Sequence, residues 1–201
     1  MAADTTLKPQ STIVGGTHYL HLAPVGTTLP DDVPDEGAEA GDDLDAAFLF
    51  AGATDEGAGS VFSVEKTTTD LRASQILEVY RTIINASKSS VTAALVDWSA
   101  AAISIANGGG EFRSTPNGVA YEPPADGTIE ETSAVLTILD GGYWTRFVLE
   151  RGIVAGSMSV NLVKTAFATM PITYNALAPI TRPRAWTLYS SNPAVAELVG
   201  S

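Results

Sequence analysis

The sequence predicts an all-β protein with one flanking α-helix, its strands antiparallel and arranged as a sandwich or barrel. Three observations predict it. Short stretches rich in Val, Ile, Thr and Tyr recur along most of the 201 residues. The 18 Gly and 11 Pro fall mainly between those stretches, as turns require. A convincing helical period occurs at one place, just after Asp97. The count expected is about nine strands and one helix in a single domain over residues 1–201.

Residues 1–15 read as an N-terminal arm. Met1–Ser11 is polar, with Asp4 and Lys8 and no apolar core of a signal peptide. No apolar run approaches the roughly 20 residues that span a bilayer; Ala46–Ala53 comes nearest. A soluble protein with no membrane role is expected. Gly16–Ala23 (GTHYLHLA) is the first strand. Residues 24–45 form an acidic loop with three prolines and three glycines. Ten acids and no base lie between Asp31 and Glu56. So long a loop is either a solvated flexible insertion or a segment ordered only against a partner. It carries little apolar surface, so deletion of Val33–Gly41 is expected to leave a folded protein. Ala46–Thr54 is an apolar strand or a short helix.

Ser60–Asp97 is the organising stretch, read as three successive strands: Val61–Asp70, Ile76–Asn85 and Ser89–Val96. Ala73-Ser74 and Ala86-Ser87-Lys88 are the expected turns. Its middle, Glu65–Ser74, is polar on both faces. Glu65, Thr67 and Thr69 lie on one side; Lys66, Thr68, Asp70 and Arg72 lie on the other. Such a pair cannot sit inside a core, so it projects, as a solvated hairpin or as an arm that pairs with another subunit.

The helix follows, capped by Asp97 or Ser99, with Trp98, Ala101, Ala102 and Ile105 on one stripe and Trp98 as a core anchor. Asn107-Gly108-Gly109-Gly110 stops it. Asn117-Gly118 signals a hairpin. Thr132–Leu139 is a strand. Beyond it Tyr143, Phe147 and Leu149 alternate with Arg146 and Glu150; Met158, Val160 and Leu162 with Ser157, Ser159 and Asn161; and Met170, Ile172, Tyr174 and Ala176 with Thr169, Thr173 and Asn175. These read as half-buried antiparallel strands, polar face outward. Pro171 puts the last one at an edge or marks a first residue of pairing. Residues 180–201 read as a C-terminal tail carrying Arg182, Arg184 and Trp186.

The net charge is −12, unevenly spread. Residues 1–140 hold 21 acids and 6 bases; residues 141–201 hold 2 acids and 5 bases. A chain this acidic repels phosphate backbones. No catalytic, cofactor-binding or metal residues can be named. Cysteine is absent. His18 and His21 lie three apart on one strand, so they face opposite ways and cannot share a metal. Asp42-Asp43-Leu44-Asp45 fails the spacing of a calcium-binding loop. There is no nucleophile elbow or Walker A, and Gly57-Ala58-Gly59 lacks what a dinucleotide fingerprint needs.

The order of several segments resembles the major tail protein, or tail tube protein, of long-tailed (siphovirus-type) bacteriophages, in the versions found in phages of actinobacteria. They are APVGTTLPDD, AGATDEGAGSVFSVEK, LEVYRTIINASKSSVTAALVDW, YWTRFVLERGIVAGSMSVNLVK and ATMPITYNALAP, together spanning about Tyr19 to Pro179. The acidic insertion Asp31–Asp45 departs from the shorter connection expected. The resemblance implies a β-sandwich of the phage tail tube type. It implies a non-enzymatic structural virion protein with no cofactor, made in the host cytoplasm. It further implies homohexameric rings stacked helically into a tube that conducts DNA without binding it specifically. Tape measure, tail terminator and distal tail proteins are the other partners implied.

On that reading, subunit contacts are expected at Asp31, Asp32, Asp35, Glu36, Asp42 and Asp43 of the loop, at Lys66, Thr68 and Arg72 of the hairpin, and at Arg182 and Arg184. The loop acids are expected to meet those two arginines of a neighbour. Glu65, Asp70 and Glu78 are the expected lumen residues. Two other classes fit less well. A capsid-decorating or head–tail joining protein shares the all-β pattern, and a carbohydrate-binding sandwich would show clustered loop aromatics.

Overall fold

The structure, a computed structural model, describes residues 16–72, 78–125, 130–155 and 167–196. Among these lie ten strands. They are β1 (Thr17–Pro24), β2 (Leu49–Phe50), β3 (Ser60–Leu71), β4 (Arg81–Leu95), β5 (Glu111–Thr115), β6 (Gly118–Glu122), β7 (Glu131–Asp140), β8 (Tyr143–Val154), β9 (Met170–Ala176) and β10 (Trp186–Ser190). Helix α1 (Ala100–Ala106) follows β4, and a single turn, α2 (Pro193–Ala196), follows β10. The fold is antiparallel and all-β with a short flanking helix, as expected. None of the described helices is long and apolar enough to cross a membrane.

The main sheet runs β2-β1-β7-β8-β9-β4-β3, with β10 also paired to β8. The first half of β8 takes β10 as its second neighbour (Thr145–Leu149) and its last residues take β9 (Gly152–Val154). That division folds the sheet over on itself. Leu20, Leu22, Ala134, Leu136 and Leu149 then meet Val91, Ala93, Leu95, Met170, Ile172 and Tyr174 in one inner core. Ala102 and Ala106 of α1 close one side of it. Gly152 is required there, because a Cβ would collide with the Tyr174 ring and the Asn175 carbonyl. The segment after β2 ties the two halves together through Ala51 N–H to Leu20 O, Val96 N–H to Ala53 O, and a bridge between Thr54 and Leu95.

Four expectations are corrected. The second and third strands of the central stretch are one continuous strand, β4. The polar residues Ala86-Ser87-Lys88 pair with Glu65, Lys66 and Thr67 instead of turning. The interruption expected there is a β-bulge, since Thr67 pairs with Ala86 and Thr68 with Ile84, leaving Asn85 extra. Trp98 is 43% exposed, and its indole N–H reaches the Ala168 carbonyl. It precedes the helix, and Ser99 is the N-cap, accepting from the Ala102 amide, so the buried stripe starts at Ala102.

The polar face of β8 is not in water: Arg146 is fully buried and Glu150 nearly so. Finally, within the stretch expected as a tail, Trp186–Ser190 is a strand of the main sheet. The alternation expected over Ser157–Leu162, the turn Ala73-Ser74 and the arm 1–15 lie outside the described residues.

Candidate assembly surfaces

The first surface is the β3–β4 arm. Its root is fastened: Phe62 stacks on Phe147 with centroids 4.4 Å apart and meets Trp186 edge-on at 5.2 Å. Beyond the root the ribbon stands alone. β9 covers β4 only from Ser90 onward, and every described residue of Val64–Arg72 and Glu78–Lys88 is exposed. The uncovered part of β4 from Arg81 to Lys88 is eight residues, about 26 Å of extended chain. An isolated two-stranded hairpin is marginal in water. Here it continues an anchored ladder, helped by Thr82 Oγ1 to Asp70 Oδ1 at 2.7 Å and by Asn85, whose amide donates to Thr69 from the bulge. Leu71, Val79, Tyr80, Ile83 and Ile84 are exposed on it. Glu65 shares a face with Lys88; Lys66, Thr68 and Asp70 occupy the other face.

The second surface is the acidic loop, which the structure lays over the outer face of β1, β7 and β8. Leu29, Leu44 and Phe48 pack there on Ala23, Val135, Val148 and Tyr189. Arg146 rises from β8 beneath them. Its guanidinium donates to Asp43 Oδ1 at 2.8 Å and to Asp43 Oδ2, to the carbonyls of Asp32 (2.9 Å) and Ala40 (3.1 Å), and to Thr137 Oγ1 at 3.2 Å. One buried cation thus pins three points of a loop that sequence reasoning left unanchored. The hydrogen bonds from Arg146 hold the Asp43 carboxyl below its ordinary range. His21 lies beside this pair, 8% exposed, and its pKa is lowered to about 4 by burial and by the Arg146 charge. Gly41 packs on it so closely that a Cβ would stand 3.1 Å from Nε2. His18, on the opposite face, is bonded to Thr54 Oγ1 at 2.7 Å.

The third surface is the segment around Arg182. Glu150 accepts from the Thr181 amide (2.6 Å), the Thr181 hydroxyl (2.8 Å) and the Arg182 amide (2.8 Å). Burial pushes this carboxyl up, but the bonds from Arg182 and Thr181 outweigh it and the pKa is lowered. The Arg182 guanidinium donates to the Pro30 carbonyl at 2.9 Å and to the Tyr189 hydroxyl at 3.2 Å of its own chain.

The structure therefore places the expected contact residues unevenly. Asp31, Asp35, Glu36, Asp42, Lys66, Thr68, Arg72 and Arg184 are exposed. Asp43 and Arg182 hold the loop of their own chain. Glu65, Asp70 and Glu78 are all exposed on the arm, with Glu65 and Asp70 on opposite faces. Arg146, Glu150 and His21, the residues that shape the loop, were missed as site residues. Their signal was an Arg and a Glu on one strand face in a chain whose loop is rich in acids. Among the described residues no cluster of three or more His, Asp or Glu is placed to hold a metal ion.

A comparison with curated proteins gives no match. The family description that matches is phage tail tube protein, over residues 5–199. With nearly the whole chain matched, this protein belongs to the phage tail tube proteins, structural components of the phage tail.

Proposed function

We propose that copies of this chain close into hexameric rings, that the rings stack into the tail tube of a long-tailed phage, and that the genome passes through its lumen. The observation that carries the reading is the arm. Its described residues from Val64 to Arg72 and from Glu78 to Lys88 are all exposed, six of them large and apolar, and nothing within the described chain packs on them beyond the root. Family membership supplies the kind of assembly such an arm serves. Contact between unlike surfaces of successive copies does not close on a dimer and so propagates.

The net charge of −12 suits the conduit, because an acidic wall repels phosphate and lets DNA slide. If one face of the β3–β4 ribbon lines the lumen, it carries either Glu65 or Asp70, since their side chains leave opposite faces. Glu78 remains a further candidate near the tip. Loop residues Asp31, Asp32, Asp35, Glu36 and Asp42, and arm residues Lys66, Thr68 and Arg72, are proposed at subunit contacts, with Arg184 beside them. Asp43 and Arg182 support those contacts from beneath by holding the loop. The tape measure, terminator and distal tail proteins meet the tube at its axis and ends. No chemical step is involved.

Sedimentation of the purified protein over a range of concentrations, followed by negative-stain electron microscopy, tests this. Rings and tubes of uniform diameter are expected. A monomer that persists at high concentration overturns it.

A further inference from the structure

The structure also points to what the tip of the arm engages. Tyr19, His21, Phe50 and Trp144 form one side of a cavity of about 540 Å3, and the loop stretch containing Glu39 and Asp42 forms the other. Phe50 is 44% exposed, with the Tyr19 ring 6.1 Å from it. Glu39 and Asp42 are exposed, and neither is in a salt bridge among the described residues. His21 is 92% buried against this space, and its Nδ1 has no hydrogen-bond partner among the described residues. Aromatic faces beside carboxylates suit a planar cation. A guanidinium can stack on a ring and donate in several directions at once.

Exposed guanidinium groups of this kind stand at Arg72 and Arg81 on the arm, and at Arg184 outside it. Residues 1–140 hold 6 bases against 21 acids, yet Lys66, Arg72, Arg81 and Lys88 all lie on the arm. Arg72 and Arg81 both stand exposed at the outer end of the described arm, where Arg81 pairs with Leu71 and the Tyr80 amide bonds the Leu71 carbonyl. A chain cannot serve its own cavity. Phe50 is four residues from Thr54, which bridges to Leu95 at the root end of β4. Arg81 is fourteen residues from Leu95 along one extended strand, about 45 Å away.

Resting on the proposed self-assembly, we infer that the tip arginines Arg72 and Arg81 of one copy's arm seat in the Phe50–Glu39–Asp42 cavity of the next copy. The exposed Ile83, on the same face of the ribbon as Arg81, covers Phe50 and Leu49 as they do so. This replaces Arg182 as the counterpart of the loop acids, because the Arg182 guanidinium already holds the Pro30 carbonyl of its own chain.

The absence of cysteine makes the contact directly testable. Arg81→Cys chains are mixed with mass-tagged Glu39→Cys chains, assembled and mildly oxidised. Ser114→Cys, exposed on the β5–β6 hairpin, replaces Glu39→Cys in the control. Preferential Arg81→Cys/Glu39→Cys heterodimers, at least tenfold over the control, are expected. In a second arm of the experiment, Arg72→Glu/Arg81→Glu should block assembly, and adding Glu39→Arg/Asp42→Arg should restore it. Equal cross-linking to the control, or normal assembly of the Arg72→Glu/Arg81→Glu chain, overturns the inference while leaving the tube reading intact. A wild-type chain that never assembles overturns both.

Discussion

Arg146 and Asp43, 103 residues apart in the chain, form a two-point charge pair that fastens the acidic loop to the outer face of the sheet. The arginine is fully buried and the aspartate side chain is 35% exposed, so the pair sits at the boundary between protein and water. With the bonds that Arg146 donates to the Asp32 and Ala40 carbonyls, it converts a segment of high negative charge into a fixed surface. A pre-formed loop needs little further ordering when a partner binds it, so more of the contact energy appears as affinity.

Asp43→Ala should therefore lower folding stability. Removing one member of a fully buried pair costs about 3 to 5 kcal/mol; with Asp43 a third exposed and partly screened, about 2 kcal/mol is expected. Urea midpoints at neutral pH check this. Arg146→Met should be milder globally, yet it should open residues 30–45 to limited proteolysis, since no buried cation then requires them. Deletion of Val33–Gly41, harmless on sequence grounds, should likewise cost stability, because it removes the Ala40 carbonyl that Arg146 uses.

A pH dependence follows from His21. Its folded pKa, about 4, lies below the ordinary 6.5, so the unfolded chain takes up the proton first. Stability is full above pH 6.5 and is lost as pH falls toward 4. The shift corresponds to a loss of about 3 kcal/mol over that window. Asp43, whose pKa is also lowered, adds a further loss below its ordinary value near 4. Thermal melts of the wild type and His21→Asn between pH 7 and 4 should show a steep slope in the first and a shallow one in the second. Parallel slopes would contradict the assignment.

Much of this fold was legible because period-2 patterning and turn residues report directly on strands. The alternation Met170, Ile172, Tyr174 gave β9 and its buried face, and polarity on both faces of Glu65–Ser74 gave an exposed arm. What failed did so for physical reasons. Ala86-Ser87-Lys88 has the composition of a turn, but an exposed ribbon tolerates polar residues on both faces, and the bulge at Asn85 absorbed the irregularity. Arg146 and Glu150 mark a polar face of β8, and patterning cannot tell a polar face in water from one covered by a loop. The cover over Arg146 came from residues more than a hundred positions away and that over Glu150 from residues some thirty away, pairings that local sequence does not encode.

The Glu150 clasp makes a separate prediction. Glu150→Gln retains the side chain's size but weakens three bonds to Thr181 and Arg182, and a cost of about 1 to 2 kcal/mol is expected. Proteolysis should then appear first near residues 180–184. Cleavage elsewhere, with this segment intact, would show that the clasp does not hold it.

The arm is dispensable for folding if it exists for assembly. Replacing Lys66–Ser87 by a short Gly-containing turn removes a segment whose described residues are all exposed and leaves the Phe62 root in place. The thermal midpoint should move by no more than a few degrees, while sedimentation shows loss of all assembly.

The central claim, that this chain builds a tube whose walls meet through the arm and the pinned loop, is tested most directly by a cryo-electron microscopy reconstruction of the assembled protein. The account predicts rings of six, the arm of each subunit buried against the Phe50–Asp42 cavity of another, and an inner wall with more Asp and Glu than Lys and Arg. Arms left in solvent, or an inner wall with a basic surplus, would contradict it.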